Sequence, residues 1–391
     1  MTVARRQART RPSANPRSSW ASKVAPTSPA QQPTHAVPPA HARPEAIERE
    51  ALVLSHWFDS GEAGEAHPAT IRLNGRRADV QGYLGPADTF THEETIDRVV
   101  PGSGPVSISS FVYGLQPGEW NVTGELVRAG SATGHRGRLR PEPLSPATWS
   151  WRHWSVQTAP PVPVKTRWAL TAPLARIPAV IPGSYTALFI VGLTVAFAMQ
   201  FALLASEQIA MPRSLLVSLL ALAAGLIGAK VWYAALHPDE SILKGGWAVD
   251  GFLVTALLVA LVALVAFGLP IGAYLDATTP GLFLAVAIGR LGCFLTGCCA
   301  GRITASRWGM WSSDRRVGAR RIPTQLLESG GGLLIGLAAL PLTLVHMRAI
   351  HGAVFVAALA VYLVVRQLLL RLRAESRMYL WQRSPLVHQH S

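Results

Sequence analysis

The chain has 391 residues and a formal net charge of +14 at pH 7, from 36 Lys and Arg against 22 Asp and Glu. Charged residues make up only 15% of it, where soluble domains average about 25%, and the mean hydropathy is positive at +0.26. These values exclude a single soluble globular domain. A disulfide framework between distant loops is excluded too, because the three cysteines fall within one apolar stretch, at Cys293, Cys298 and Cys299.

The two ends of the chain are predicted to be tails. Residues 1–44 are rich in Pro, Ala, Ser and Arg and have almost no large apolar side chains. Such a segment cannot bury enough apolar surface to offset the entropy of ordering, so we expect a disordered basic tail. A solvated tail near anionic lipid is favoured over a nucleic-acid arm, and no nucleic-acid partner is expected. Residues 378–391 are predicted to form a C-terminal tail.

Residues 45–170 have the pattern of a small β domain. Short β-branched and aromatic runs at 51–58, 69–75, 105–115 and 119–127 are separated by Gly, Pro and Asp turns. The stretch VYGLQPGEWNV at 112–122 resembles the corner of an immunoglobulin- or fibronectin-like sandwich, where a Leu-x-Pro-Gly turn leads an aromatic residue into the next strand. We therefore predict an all-β sandwich, with Trp151, Trp154 and Trp168 at its edge and at the membrane interface.

From residue 183 onward the hydropathy predicts a multi-pass α-helical membrane bundle. Residues 177–206 contain no charge, and thirty helical residues exceed the hydrocarbon thickness of about 30 Å at 1.5 Å per residue. Five further apolar segments lie at 214–236, 251–268, 272–295, 325–345 and 352–370. Because backbone groups in lipid must be satisfied internally, these segments are predicted to be transmembrane helices, giving six in a domain over 171–377.

Ionisable residues inside spanning segments are costly and need a reason. Those in or at the start of the predicted spans are Lys230, Asp250, Arg290, Glu328 and Arg366. Tyr362 lies four residues before Arg366, so a helix places both on one face. For Lys230 and Arg366, the alternative to a functional role is that the side chain extends along the helix to the membrane interface. This alternative is less favourable for Arg290, because its neighbours are small residues. Buried cations in excess of buried anions favour an anionic ligand, such as a phospholipid phosphate.

Seven ordered motifs between residues 183 and 377 resemble the prolipoprotein diacylglyceryl transferase family. The stretch GRLGCFLTGCCAG at 289–301 resembles its signature G-R-I-G-N-F-I-N-G-E-x-x-G, and WGM at 308–310 and RIPTQLLE at 321–328 follow in the family's order. GAKVWY at 228–233, GGWAVD at 245–250 and DATTP at 276–280 resemble the family's upstream motifs, and Tyr362 and Arg366 match its Tyr-x-x-x-Arg.

The resemblance implies transfer of a diacylglyceryl group from phosphatidylglycerol, or another anionic phospholipid, to a prolipoprotein signal-peptide cysteine in the bacterial inner membrane. By position it implies catalytic roles for Asp250, Tyr362 and Arg366. The implied substrate-binding residues are Lys230, Gly289, Arg290, Cys293, Cys298, Gln325 and Glu328. Asp250 stands where the family has a His, and a carboxylate there is a candidate base. No cofactor or metal is expected.

Two other functions stay open at this point. One is a non-catalytic membrane protein that binds anionic lipid and recruits a partner through its β domain. The other is a thiol-dependent redox protein that uses Cys293, Cys298 and Cys299. A metal site is the weaker interpretation of these cysteines, because no His or second Cys pair completes a tetrahedral set nearby in the sequence. Packing as small apolar residues is favoured.

The charge pattern leaves the membrane topology open. The loop 302–321 contains six arginines and one acidic residue, which the positive-inside rule assigns to the cytoplasm together with both termini of a six-helix bundle. The first 44 residues also contain no apolar run like the core of a signal peptide. The family resemblance instead implies that this loop and the β domain lie outside, an assignment that is slightly favoured.

Overall fold

The computed structural model describes residues 50–62, 64–129, 141–236, 246–346 and 351–374. The tails predicted at 1–44 and 378–391 lie outside these ranges. The described part consists of an N-terminal antiparallel β region and six long helices, as the sequence predicts.

The β region has nine strands between residues 50 and 168. They are β1 (Glu50–Asp59), β2 (His67–Arg77), β3 (Thr89–Val99), β4 (Pro105–Tyr113), β5 (Glu119–Ala129), β6 (Glu142–Ser150), β7 (Ser155–Thr158), β8 (Val164–Lys165) and β9 (Arg167–Trp168). β1 pairs with β4, and β2 lies between β3 and β5. β1 and β4 thus belong to one sheet, and β2, β3 and β5 belong to another. β6 pairs with both β1 and β5, so it connects the two sheets.

The core of the β region lies between these two sheets. Alternate residues of β1 and β2 are buried, with Leu52, Ile71 and Leu73 at most 1% exposed. This period of two places one face of each strand in the core. Trp120 is fully buried and its indole N–H donates to the carbonyl of Gln116 at 3.2 Å. The Leu-x-Pro-Gly turn therefore leads an aromatic residue into β5, as the sequence predicts.

The six helices have the length and hydropathy needed to cross a membrane. They are α1 (Ser184–Ser206), α2 (Met211–Leu236), α3 (Val249–Ala266), α4 (Ile271–Thr296), α5 (Thr324–His346) and α6 (Ala353–Leu370). The bounds of α2 to α6 agree with the predicted spans to within three residues. The chain is thus a multi-pass membrane protein.

Small residues let neighbouring helices approach closely. A Cβ at Gly281 of α4 would lie 2.7 Å from the carbonyl oxygen of Ala196 on α1, and one at Gly228 of α2 would lie 2.9 Å from that of Gly251 on α3. Neither contact leaves room for a side chain. Close backbone approach at small residues is the usual way in which helices associate in lipid.

The segment between α4 and α5 joins the two parts of the protein. It forms a hairpin of β10 (Met310–Ser313) and β11 (Val317–Arg321), which we call the arm. Val317 and Gly318 of β11 pair with Ile108 and Ser107 of β4, so the arm extends the β region's sheet. The sequence assigned these two strands to the membrane domain and did not predict the pairing. The arm connects the end of α4 to the start of α5. The end of the bundle that contains these two helix termini therefore faces the β region.

A tryptophan cluster strengthens this junction. Trp311 of the arm donates its indole N–H to the carbonyl of Pro105 at 2.8 Å and stacks on Trp149 with centroids 4.6 Å apart. Trp154 donates to the Trp311 carbonyl and stacks on Phe294 of α4 at 5.9 Å. Trp154, predicted at the sandwich edge and at the membrane interface, packs between the β region and α4. Trp151 and Trp168 remain substantially exposed.

Candidate active site

The candidate site is centred on Glu328, in the first two turns of α5. Its side chain is 1% exposed. The Oε1 atom of Glu328 lies 2.7 Å from Arg290 Nη2 and 2.9 Å from Arg366 Nη1. Its Oε2 atom lies 2.7 Å from Nη2 of a third arginine, Arg373. One buried carboxylate therefore receives hydrogen bonds from three guanidinium groups. We call Glu328 and these three arginines the arginine cluster.

Helix geometry brings these side chains together. Arg290 lies near the end of α4, and Tyr362 and Arg366 lie one turn apart on α6. The Tyr362 hydroxyl donates to Glu328 Oε1 at 2.9 Å, so both α6 residues face the same carboxylate, as their spacing predicts. The Tyr362 ring packs against Phe283 with centroids 5.4 Å apart, which fixes its orientation.

The arginine cluster carries an excess of positive charge. Arg290, Arg366 and Arg373 are all at least nine-tenths buried, and the only fully buried carboxylate described beside them is Glu328. Asp250 adds a second negative charge at the rim, which leaves a net charge of +1. The Nε atom of Arg373 is buried and has no hydrogen-bond partner among the described residues. Unpaired buried charge is costly, so the cluster is suited to an anionic ligand.

Asp250 lies at the exposed edge of the cluster. Its Oδ1 atom is 3.4 Å from Arg366 Nη2, and its side chain is 56% exposed. The N-cap of α3 is Ala248, two residues earlier, and no side chain caps that helix end. Asp250 is therefore not the N-cap residue of α3. It contacts the cluster through Arg366 and is also open to solvent.

The other predicted site residues lie in different surroundings. Gln325 is 1% exposed and its side-chain amide donates to the Cys298 carbonyl at 2.8 Å, so it holds the turn after α4. A Cβ at Gly289 would meet no heavy atom within 4 Å, so this glycine borders open space beside Arg290. Lys230 lies over the ring of Trp247, with its Nζ 4.5 Å from the centroid, rather than on Glu328.

The three cysteines come together where α4 ends. Gly297 has a left-handed backbone with φ 76°, and the N–H groups of Gly297 and Cys298 both donate to the Cys293 carbonyl. This turn folds the chain back over the helix end. The three sulfur atoms lie within 4.8 Å of one another, and all three cysteines are free thiols. The guanidinium of Arg290 contacts Cys293 Sγ at 3.8 Å, so the thiols adjoin the arginine cluster.

Arg373 is the site residue that sequence reasoning missed. It lies three residues beyond the end of α6, where the segment is held by a β-bridge to Gly301 and a bond from the Ala374 N–H to the Ala300 carbonyl. The available signal was its spacing of seven residues from Arg366, which is two helical turns on the same face.

Asp276, which belongs to one of the resembling motifs, has a structural role. Its carboxylate accepts the N–H groups of Gly352 and Phe355 at 2.6 and 2.9 Å, at the start of α6. A buried carboxylate at this position satisfies N–H groups that have no partner within the helix.

Comparison with known proteins identifies relatives of the membrane part of the chain. Residues 174–387 match the family model described as prolipoprotein diacylglyceryl transferase. Three relatives are each named phosphatidylglycerol–prolipoprotein diacylglyceryl transferase. The protein of Wolbachia pipientis subsp. Culex pipiens is 30% identical over 125 residues, 32% of this chain and 48% of the relative. That of Dehalococcoides mccartyi is 29% identical over 29% of this chain and 48% of the relative.

The third relative, from Chloroflexus aggregans, is 32% identical over 24% of this chain and 33% of its own length. In all three, the matched part is less than half of the relative. The family model, in contrast, covers more than half of this chain, including every residue of the arginine cluster and all three cysteines. The chain belongs to the prolipoprotein diacylglyceryl transferase family.

Proposed function

We propose that the protein transfers the diacylglyceryl group of phosphatidylglycerol to the cysteine thiol of a prolipoprotein signal peptide, in the bacterial inner membrane. The observation that carries this proposal is the arginine cluster: three buried guanidinium groups and the Tyr362 hydroxyl converge on one carboxylate, Glu328. Such a site suits a phosphodiester at membrane depth, because guanidinium groups bind phosphate through paired, charge-assisted hydrogen bonds.

In this proposal the cluster stabilises the leaving group. The acceptor sulfur attacks the glyceryl carbon that bears the phosphate, the carbon–oxygen bond breaks, and glycerol phosphate leaves with the electron pair. Arg290 and Arg366 offset the charge that develops on the departing oxygen. The Nε atom of Arg373, which has no partner within the described ranges, offers a further donor. Donors already in place at a buried site act strongly on developing charge.

Asp250 is proposed to accept the thiol proton. Its carboxylate touches Arg366 yet is 56% exposed, so a peptide thiol can reach it from outside the bundle. A candidate base must lie within hydrogen-bond reach of the proton that it takes. Asp250→Asn should then reduce transfer at unchanged stability, whereas Asp250→His, which restores the family's residue, should be tolerated.

Complementation tests the proposal. Cells depleted of their own transferase should grow when they express the wild-type chain. Arg290→Ala and Arg366→Ala should each abolish rescue while the protein accumulates in the membrane. Arg307→Ala is the matched control, because Arg307 is an exposed arginine of the segment before the arm and stacks on Trp308 at 5.1 Å. Rescue by both cluster variants at wild-type levels would refute the phosphate-binding role.

A non-catalytic lipid-binding protein is the second candidate function. It is favoured by the residues at positions where the family has other side chains: Asp250 for His, and Cys293 and Cys298 for Asn and Glu. This candidate predicts that wild-type protein binds phosphatidylglycerol vesicles, and that Arg290→Ala and Arg366→Ala weaken the binding, although no variant rescues growth. Vesicle binding measured alongside complementation therefore separates the two candidates.

A further inference from the structure

We propose that Cys293, Cys298 and Cys299 form a three-thiolate Zn²⁺ site with one open coordination position. The sequence favoured packing for these residues, since no fourth ligand was apparent. The structure instead places all three sulfur atoms within 4.8 Å of one another, next to the arginine cluster. Soft thiolate ligands favour Zn²⁺ among the common divalent ions.

The spacing of the sulfur atoms fits this ion. Tetrahedral zinc with Zn–S bonds of about 2.3 Å requires sulfur atoms about 3.8 Å apart. From a separation of at most 4.8 Å, side-chain rotation is enough to close the ligand set. Apolar packing alone would not require the sulfur atoms to converge. The turn at Gly297 achieves this convergence by bringing Cys298 and Cys299 back over Cys293.

The charges around the site are complementary to such a complex. Three thiolates with one Zn²⁺ carry a net charge of −1, and the adjoining arginine cluster together with Asp250 carries +1. Arg290 contacts both Glu328, at 2.7 Å, and Cys293 Sγ, at 3.8 Å. The guanidinium of Arg290 would therefore stabilise an anionic metal complex that includes Cys293.

The ligand count leaves room for a fourth ligand. Zinc sites with three protein ligands keep an open position for water or substrate. A cavity of about 240 Å³ borders Cys298 and Cys299 and is also lined by Asp314 and Arg315. Both carboxylate oxygens of Asp314 are already engaged by the arm, through Arg321 and the N–H groups of residues 316 and 317. A space large enough for an incoming side chain therefore adjoins two of the three cysteines.

This inference rests on the proposed function for the identity of the fourth ligand, which is the acceptor cysteine of the peptide. Coordination to Zn²⁺ deprotonates a thiol, and the thiolate is the nucleophilic form of cysteine. The peptide thiol gives its proton to the Asp250 carboxylate, the proposed base, as it binds the metal. Its sulfur then attacks the glyceryl carbon of the lipid, and glycerol phosphate leaves with the electrons of the broken carbon–oxygen bond. No electron transfer is required.

Metal titration of the full chain tests the site itself. Reduced, metal-free protein in detergent should bind one equivalent of Zn²⁺ in competition with a chromophoric chelator. With Co²⁺ as the probe it should show a sulfur-to-metal charge-transfer band. A triple Cys293→Ser, Cys298→Ser, Cys299→Ser variant keeps all twelve histidines, so its residual binding measures adventitious sites. Wild-type binding no greater than that of the variant, or a Co²⁺ spectrum without the thiolate band, would overturn the proposal.

A second measurement tests the open position. Adding a cysteine-containing signal peptide should shift the visible bands of the Co²⁺ protein, whereas the same peptide with Ser in place of Cys should leave them unchanged. Unchanged bands with both peptides would overturn the acceptor role of the metal.

Transfer activity separates this inference from the proposed function. Loss of transfer on removal of the metal, with recovery on adding Zn²⁺, supports both. Full transfer by metal-free protein overturns the catalytic role of the metal and leaves the proposed function standing. Thiol-dependent spectral shifts without any transfer would refute the proposed function but support the metal site.

Discussion

Replacing Glu328 with Gln should destabilise the bundle strongly. The change keeps the shape of the side chain but removes the negative charge that pairs with Arg290, Arg366 and Arg373 at 2.7 to 2.9 Å. All three arginines would remain buried, and the one carboxylate left in contact with them among the described residues would be the exposed Asp250. Removal of one partner from a buried ion pair costs about 3–5 kcal/mol, and we expect a loss of unfolding free energy in this range.

Reversible unfolding of the full chain in mixed detergent micelles measures this loss. Glu93→Gln is the matched control, because Glu93 pairs with Arg72 at 2.8 Å while its side chain is 51% exposed. An exposed pair contributes about 0–1 kcal/mol, so this variant should remain close to wild type. Phosphatidylglycerol should restore more stability to Glu328→Gln than to wild type, since its phosphate supplies the missing charge. A Glu328→Gln variant as stable as the Glu93→Gln control would refute this reasoning.

Three further predictions concern the surrounding structure. Burial lowers the pKa of His56 to about 4 from an ordinary value of 6.5. As the pH falls, the unfolded chain therefore binds a proton at a higher pH than the folded protein does. Stability should fall by about 2–3 kcal/mol between pH 7 and pH 4.5, and thermal unfolding of His56→Gln should lack this component. Trp311→Ala removes the indole N–H that donates to the Pro105 carbonyl, and it should speed proteolysis of the arm. Trp308→Ala, at a side chain 78% exposed, should not change the cleavage rate. Equal cleavage rates of the two variants would contradict the role of Trp311. Asp276→Ala should cost about 1–3 kcal/mol of unfolding free energy, because one buried and one partly buried N–H group lose their acceptor. An unchanged denaturation midpoint would exclude that role.

The helices were predictable because their signal is local. The apolar segments that predicted α2 to α6 match the structure to within three residues, since burial in lipid requires a continuous apolar run. Tyr362 and Arg366 were also predictable as a pair, because a spacing of four residues fixes a shared helix face. Glu328 on α5 could be singled out as an ionisable residue at the start of a predicted span, but the sequence did not identify it as their partner.

The remaining features depend on contacts that are distant in the sequence. The pairing of β11 with β4 joins residues more than 200 positions apart, and neither strand identifies its partner by composition. Arg373 lies beyond the last apolar residue of α6 and resembles an ordinary flanking arginine. The sequence favoured packing as small apolar residues for the cysteines. Their convergence could not be predicted, because it depends on the left-handed turn at Gly297.

The most direct test is the mass of an acceptor peptide after incubation with the purified chain and phosphatidylglycerol vesicles. A peptide with a signal-peptide cysteine should gain one diacylglyceryl group while one glycerol phosphate is released. The same peptide with Ser in place of Cys should be unchanged. A folded protein that binds the vesicles yet leaves the cysteine peptide at its original mass would contradict the account.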